Sequence, residues 1–293
     1  PPWLPVRDGY DPTFSNIGLP RILAVLLVGG GLSIAGAAYQ GMFKNPMVSP
    51  DILGASAGAG FGACLAMLME LPTVYVQMFS FCGGILAVFI AATATRRFSM
   101  DPILGLVLGG MMVSTLFQSG TSTIKLLADA DNKLPQITFW LMGSFNVMNK
   151  AKLFSILIPI GAGFLILFLV RWQLNVLSFG EDEASSLGIK TKRIRSMVII
   201  ASTLITASCV SVCGMVGWVG LVIPHAGRAL AGPDYRRLLP VCAILGSTFL
   251  LLVDDVARTA FMVELPIGIL TSFIGVPFFM FIFKSGVNKG GSA

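Results

Sequence analysis

Residues 22–43 read ILAVLLVGGGLSIAGAAYQGMF and contain no charged side chain. A helix that crosses a bilayer needs about 20 mainly apolar residues, and this stretch meets that length. Eight further apolar runs follow, at residues 51–69, 74–95, 102–127, 153–171, 194–213, 215–231, 238–257 and 265–283. The pattern predicts an all-α polytopic membrane protein with about nine transmembrane helices in this chain.

The composition excludes a water-soluble protein. Of the 293 residues, 55% are hydrophobic and 12% are charged, whereas soluble domains carry about 25% charged residues. The apolar runs leave no room for an extramembrane domain. The run 135–147 is too short to cross the bilayer and is flanked by Lys133 and Lys150, so a re-entrant or surface helix is predicted there.

The distribution of lysine and arginine predicts the orientation, because cytoplasmic loops carry the excess. One side of the predicted membrane collects 13 of the 20 basic residues, namely Lys44, Arg96, Arg97, Arg171, Lys190, Lys192, Arg193, Arg195, Arg228, Arg236, Arg237, Lys284 and Lys289. We expect that side to be cytoplasmic. Residues 1–18 are then an extracytoplasmic loop that follows an earlier crossing, residues 19–284 form one transmembrane domain, and 285–293 form a tail.

Several other kinds of site are disfavoured by the sequence. The net charge of +6 comes without a basic, aromatic-rich run, so nucleic acid is not an expected partner. The string Gly58 to Gly62 has no preceding strand and indicates helix packing rather than dinucleotide binding. The five cysteines lie in apolar runs and are predicted to be buried thiols. The single His225 has no partner ligands nearby and is predicted to be a hydrogen-bonded structural residue, so neither a metal site nor a catalytic set is expected.

The largest hydrophilic interruption on the predicted cytoplasmic side is residues 173–192. It contains Gly180-Glu181-Asp182-Glu183-Ala184-Ser185-Ser186-Leu187-Gly188. Acids near the start of a helix are favoured by its dipole, so a short surface helix is expected, with Ala184 and Leu187 forming an apolar face for a partner. The alternative is a solvated loop whose acids balance the basic residues that follow.

Polar residues within or beside the apolar runs are the candidates for a pathway. Asp254 and Asp255 precede Arg258, and this spacing fits either a structural ion pair or a substrate ligand. Glu264 has the same two interpretations. The neutral candidates are Gln40, Asn45, Gln118, Ser119, Thr138 and Ser144, which could line a hydrated path or hold helices together.

Six collinear motifs resemble one family, the FecCD-type permease subunits of ABC importers for iron-siderophores, haem and cobalamin. They are Leu19-Pro20-Arg21, the segment from Gly36 to Pro46, Ile137 to Ser144, Gly180 to Gly188, Gly217 to His225, and Glu264 to Gly268. The resemblance extends over residues 19–284.

This resemblance implies a ten-helix subunit in the cytoplasmic membrane of a prokaryote. It implies a homodimer with the path at its axis, two cytoplasmic ATPase subunits that carry ATP and Mg, and a periplasmic or extracellular binding protein, with no cofactor in this chain. The resemblance also implies roles for individual residues. Arg21 and Arg258 would dock the binding protein, and Ser99 and Met100 would form a cytoplasmic gate. Coupling to the ATPase is implied for Gly180, Glu181, Asp182, Glu183, Ala184, Leu187 and Gly188. A further rim arginine of some relatives is replaced here by Gly18.

The sequence leaves alternatives for the cargo and for the class of transporter. A ferric siderophore, haem or corrinoid is expected, and an oxyanion such as molybdate is the alternative cargo. An ion-coupled secondary transporter would require acids at mid-bilayer and paired broken helices, which the sequence does not offer. An intramembrane enzyme would require a catalytic set.

Overall fold

A computed structural model describes residues 18–97, 102–260 and 263–290, and within these ranges the chain contains α-helices, one short 3-10 helix and no strand. The predicted all-α class is therefore confirmed. The α-helices are α1 (Leu19–Met42), α2 (Ala55–Leu68), α3 (Thr73–Arg97), α4 (Pro102–Leu127), α5 (Lys133–Met142), α6 (Lys150–Leu169), α7 (Arg171–Phe179), α8 (Glu181–Ser186), α9 (Thr191–Cys213), α10 (Val219–Ala231), α11 (Tyr235–Thr259) and α12 (Ile267–Gly290), and the 3-10 helix is Pro50–Leu53.

Six of these helices, α1, α3, α4, α6, α9 and α11, are long and apolar enough to cross a bilayer. The three other predicted runs contain shorter apolar helices, which are α2, α10 and the Ile267–Met280 part of α12. α5 lies in the short run and has 10 residues, about 15 Å of helix, which cannot span the hydrocarbon core. The number of crossings stays a prediction.

The core is built around α1 and α9. In both helices 78% of the most apolar window is buried inside the chain, against 28–33% in α3, α4, α6 and α11. The outer four helices therefore present most of their surface to lipid or to another chain.

Glycines let α1 touch its neighbours backbone to backbone. A Cβ on Gly29 would overlap the carbonyl oxygen of Gly246 on α11, and a Cβ on Gly36 would overlap the carbonyl of Gly220 on α10. Gly58 of α2 and Gly83 of α3 make the same kind of approach. This close packing agrees with the role expected for small residues in membrane bundles.

Arg21 and Arg228, which the lysine and arginine count assigned to opposite sides of the membrane, lie near opposite ends of α1. Arg21 of α1 pairs with Asp254 of α11 at one end, which is the predicted outer end. At the other end of α1, Gln40 meets Arg228 of α10, and this is the predicted cytoplasmic end.

The prediction that all five cysteines are buried is wrong at Cys82. This side chain is exposed on α3, whereas Cys64, Cys209, Cys213 and Cys242 are buried. The apolar run containing Cys82 gave no information about which face of α3 packs inward, and Cys82 lies on the outward face.

Candidate functional site

The segment predicted to contact an ATPase forms α8 and the turn after it at the predicted cytoplasmic end. Leu187 is 64% exposed, but Ala184 is fully buried, so the prediction of a shared apolar face for these two residues is wrong. Leu187 lies just past the last residue of α8 and faces outward, whereas Ala184 points into the protein. The exposed apolar neighbour is instead Phe179, 78% exposed at the end of α7, which the sequence could have revealed as a phenylalanine inside a hydrophilic interruption.

The connection between α7 and α8 depends on Gly180. The Glu183 carboxylate folds back over the position that a Cβ on Gly180 would occupy. Gly188, after α8, has a positive φ of 75°, a conformation that glycine adopts without a Cβ penalty. Asp182 and Glu183 are exposed, and the side chain of Glu181 lies outside the described residues.

Asn175 of α7 connects this segment to the start of α11. Its Nδ2 donates to Asp234 Oδ1 at 2.6 Å, and its Oδ1 accepts the Tyr235 backbone N–H at 2.8 Å. Asp234 is the N-cap of α11, because the same Oδ1 accepts the Arg236 backbone N–H at 2.9 Å. These bonds lower the pKa of Asp234, the backbone N–H of Arg236 contributing most and Asn175 next. The sequence analysis missed Asn175, which lies in a stretch with no recognisable motif.

Gln40 holds helices together rather than facing open space. Its Nε2 donates to the carbonyl oxygens of Val48 at 3.2 Å and Leu221 at 3.3 Å, and its Oε1 accepts from Arg228. The side chain is buried. Between its two sequence-based interpretations, the contacts therefore favour the helix-contact role.

The remaining neutral candidates are scattered. Asn45 is exposed in the turn after α1, where Oδ1 accepts the Met47 N–H at 2.9 Å. Thr138 donates to Leu134 O of its own helix at 2.7 Å. Ser144 accepts the Asn146 N–H at 3.0 Å and lines a cavity of about 800 Å³ at the outer end.

Gln118 and Ser119 lie on an exposed polar face of α4. Thr115 and Ser122 are exposed on the same side, three or four residues away, which is the spacing of one helix face. We call Thr115, Gln118, Ser119 and Ser122 the α4 polar face. Such a face is unsuited to lipid because the Gln118 amide would have no hydrogen-bonding solvent.

Arg21 and Asp254 form the centre of an ion cluster at the predicted outer end. Arg21 Nη2 lies 2.6 Å from Asp254 Oδ1 and 2.5 Å from Glu264 Oε1, and Arg21 Nε lies 3.1 Å from Asp254 Oδ2. Asp254 is 0% exposed and Arg21 is 8% exposed. The structural ion-pair interpretation of Asp254 is therefore confirmed, and Glu264 belongs to the same cluster.

Arg258 occupies the rim of this cluster. Its Nε lies 3.4 Å from Asp254 Oδ2, as the i to i+4 spacing predicted, and its Nη2 pairs with the exposed Asp255. The Arg258 side chain is 38% exposed. Of the two arginines predicted to dock a binding protein, Arg258 is thus the accessible one.

Two other predictions concern the gate and metal binding. Ser99 and Met100, the predicted gate, lie outside the described residues. Among the residues described, no group of three or more histidine, cysteine or acidic side chains could hold a metal. His225 Nδ1 lies 2.9 Å from the Leu221 carbonyl oxygen of its own helix, in agreement with its predicted structural role.

Comparison with known proteins gives a consistent result across almost the whole chain. Residues 7–285 match the FecCD transport family. The molybdate import system permease protein of Haemophilus influenzae is 40% identical over 94% of this chain and 82% of that protein. A probable iron chelatin transport system permease protein of Helicobacter pylori is 38% identical over 91% and 81% of the two chains, and the hemin transport system permease protein of Yersinia pestis is 33% identical over 91% and 81%.

Solved structures agree with the sequence relatives. A structure described as a metal-chelate type ABC transporter in an inward-facing conformation superimposes with a TM-score of 0.90, with 38% identity, over 97% of this chain and 91% of that one. PsaBC from Streptococcus pneumoniae, solved with a Fab, shares the fold at a TM-score of 0.67 and 17% identity over 90% of each chain.

Proposed function

The chain belongs to the FecCD transport family, and from this premise we propose that it is the membrane permease subunit of an ABC importer for a metal chelate. The observation that carries the proposal is the likeness in both sequence and fold to the metal-chelate type ABC transporter. The subunit makes no covalent change to its cargo. It belongs in the cytoplasmic membrane of a prokaryote, and ATP and Mg bind to a separate ATPase.

The exposed segment from Phe179 to Leu187, at the predicted cytoplasmic end, supports the proposed contact with that ATPase. Phe179 and Leu187 offer exposed apolar side chains, and Asp182 and Glu183 offer exposed charge, all in or beside the short helices α7 and α8. An ATPase that closes on ATP can push this segment, and the push reaches the bundle because α7 packs on it. The push then favours one of two arrangements of the helices, opening the path to alternate sides.

The α4 polar face supports a path between two copies of the chain. A second copy across this face would enclose Gln118 and the neighbouring hydroxyls in a hydrated path instead of lipid. Neutral hydroxyl and amide groups bind a bulky chelate weakly enough to release it. The homodimer is therefore part of the proposal, and a periplasmic or extracellular binding protein delivers the cargo.

Molybdate is the second candidate cargo. The specific observation in its favour is the 40% identity to the molybdate permease, beside 38% to the iron chelatin permease. A binding protein selects the cargo in either case, so both cargoes fit the same architecture.

The test is uptake by proteoliposomes that contain the chain with its ATPase and binding protein. We expect ATP-dependent entry of a ferric siderophore, haem or cobalamin, measured by the metal retained inside the vesicles, and entry of molybdenum alone would select the second candidate. Uptake driven by a proton gradient without ATP would overturn the importer assignment.

A variant pair tests the coupling role within this assay. Leu187→Asp places a charge on the exposed apolar side chain and should leave ATP hydrolysis running while uptake falls about tenfold, as expected for loss of about 1.4 kcal/mol of interface energy. Ser186→Ala, one residue earlier and also exposed, is the matched control. Equal uptake by both variants would reject the coupling role of Leu187.

A further inference from the structure

The Asn175 carboxamide forms a polar link between the α7–α8 segment and the first turn of α11. The amide spans two groups of different polarity, since it donates to the Asp234 carboxylate and accepts from the Tyr235 N–H. Only a side chain with one donor and one acceptor at this distance satisfies both. Aspartate would set a carboxylate against Asp234, and alanine would leave both groups to water.

The first turn of α11 is in turn fixed to the rest of the cytoplasmic end. Tyr235 is buried and packs so closely on α1 that a Cβ on Gly41 would overlap its hydroxyl oxygen. The preceding residue of α1, Gln40, is bonded to Arg228 of α10. A displacement of α7 therefore reaches α11, α1 and α10 through direct contacts.

The apolar contacts of α7 do not give the same directional control. Leu174 and Leu177 are buried under α7, and such close-packed contacts transmit strain between α7 and the bundle, but dispersion attraction itself has no preferred direction. Two hydrogen bonds to one helix turn fix both position and rotation. The amide therefore adds a directional link to the apolar packing, and a small displacement of α7 can reach α11 through it.

We propose that Asn175 is a positioning residue for energy coupling, which ties the ATPase-contacting segment to the first turn of α11 so that movement of the segment becomes movement of α11, α1 and α10. This inference rests on the proposed importer function. It assigns Asn175 no contact with cargo or nucleotide. Loss of the link should separate ATP hydrolysis from uptake rather than stop either step by unfolding.

The test exchanges the two polar groups. Asn175→Asp places two carboxylates against each other, whereas the double variant Asn175→Asp/Asp234→Asn restores one donor between them and keeps acceptors for the Tyr235 and Arg236 N–H groups. We expect the ratio of cargo imported to ATP hydrolysed to fall several-fold in Asn175→Asp, since two facing carboxylates that repel each other replace a hydrogen bond. The double variant should recover most of the wild-type ratio.

Ser178→Ala is the matched control on the same helix. The Ser178 hydroxyl is exposed and bonds only to the Asn175 carbonyl of its own helix among the described residues, so this variant should keep the wild-type ratio. If Asn175→Asp does not fold, Asn175→Ala removes both bonds without adding charge, and a ratio reduced several-fold is expected.

The outcomes of this experiment distinguish a failure of the inference about Asn175 from a failure of the proposed importer function. Wild-type vesicles without ATP-dependent uptake would overturn the importer itself. Wild-type uptake together with an unchanged ratio in Asn175→Asp or Asn175→Ala would overturn only the role of Asn175. A double variant that folds but stays as uncoupled as Asn175→Asp would also overturn it, because the exchange restores the polar complementarity.

Discussion

Replacing the buried ion pair at the outer end of the bundle should show strong coupling between Arg21 and Asp254. Arg21→Met leaves the Asp254 carboxylate, which is 0% exposed, with only the longer 3.4 Å contact to Arg258. Asp254→Leu leaves the buried guanidinium with Glu264 and a long 3.5 Å contact from Nη1 to Asn146 Oδ1. Each single variant should lose about 3–5 kcal/mol of unfolding free energy, the usual cost of stranding one partner of a buried pair.

The double variant Arg21→Met/Asp254→Leu should be more stable than either single variant. Neither charge remains to be stranded, and Glu264, which is 19% exposed and lines the outer cavity, can be hydrated. Replacing both members of a buried pair with apolar side chains is often nearly neutral. The coupling free energy from the double-mutant cycle should therefore be at least about 2 kcal/mol.

Unfolding in mixed micelles with increasing SDS, followed by tryptophan fluorescence, measures these differences. Arg258→Gln is the matched control, because Arg258 belongs to the same cluster but is 38% exposed, so it should lose less than about 1 kcal/mol. Single-variant losses that simply add in the double variant would refute the reasoning. So would an Arg258→Gln loss as large as that of Arg21→Met.

Further predictions concern helix packing, docking and pH. Gly36→Ala should lose at least about 3 kcal/mol because its Cβ would overlap a backbone carbonyl of α10. In contrast, Gly161→Ala, with nothing within 4 Å, should match or exceed wild type in the same SDS titration. Arg258→Glu should weaken binding-protein affinity at low salt and lose this effect at high salt, and equal affinity at low salt would exclude docking at this arginine. Lys133 lowers the pKa of Glu70 chiefly through a hydrogen bond. The Glu70–Lys133 pair therefore stabilises the folded protein fully at a pH above the ordinary glutamate pKa. This stabilisation is lost as the pH falls through the lowered pKa of Glu70. The melting temperatures of wild type and Glu70→Gln should therefore converge on acidification from pH 7.

The sequence predicted the helical class and the two ends of the bundle because these follow from one-dimensional quantities. Apolar length gave the helices, and basic residues placed Arg21 and Arg228 at opposite ends, where the contacts of α1 put them. The i to i+4 spacing also predicted the Asp254–Arg258 contact, because that geometry is local to one helix.

The side of a helix that packs inward, and contacts between residues distant in sequence, could not be predicted in this way. Arg21 meets Asp254 across 233 positions of sequence, and no local spacing encodes that encounter. Cys82 and Ala184 were assigned to the wrong environment because the apolar content of a segment does not say which side of a helix packs inward. Asn175 was missed because its role depends on the first turn of α11, which is distant in sequence.

The packing of α1 explains why a link at the start of α11 can have consequences across the bundle. Gly29 contacts α11, Gly36 contacts α10 and Gly41 contacts Tyr235, and each contact is too close to admit a Cβ. At Gly29 and Gly36 the contacts are with backbone atoms, which cannot rearrange as side-chain rotamers do, so α1, α10 and α11 resist independent displacement. A force applied to the first turn of α11 must therefore move α1 and α10 with it or break the close contacts. It follows that Gly36→Ala and Asn175→Ala should differ in kind, the first lowering stability and the second lowering only the ratio of uptake to hydrolysis.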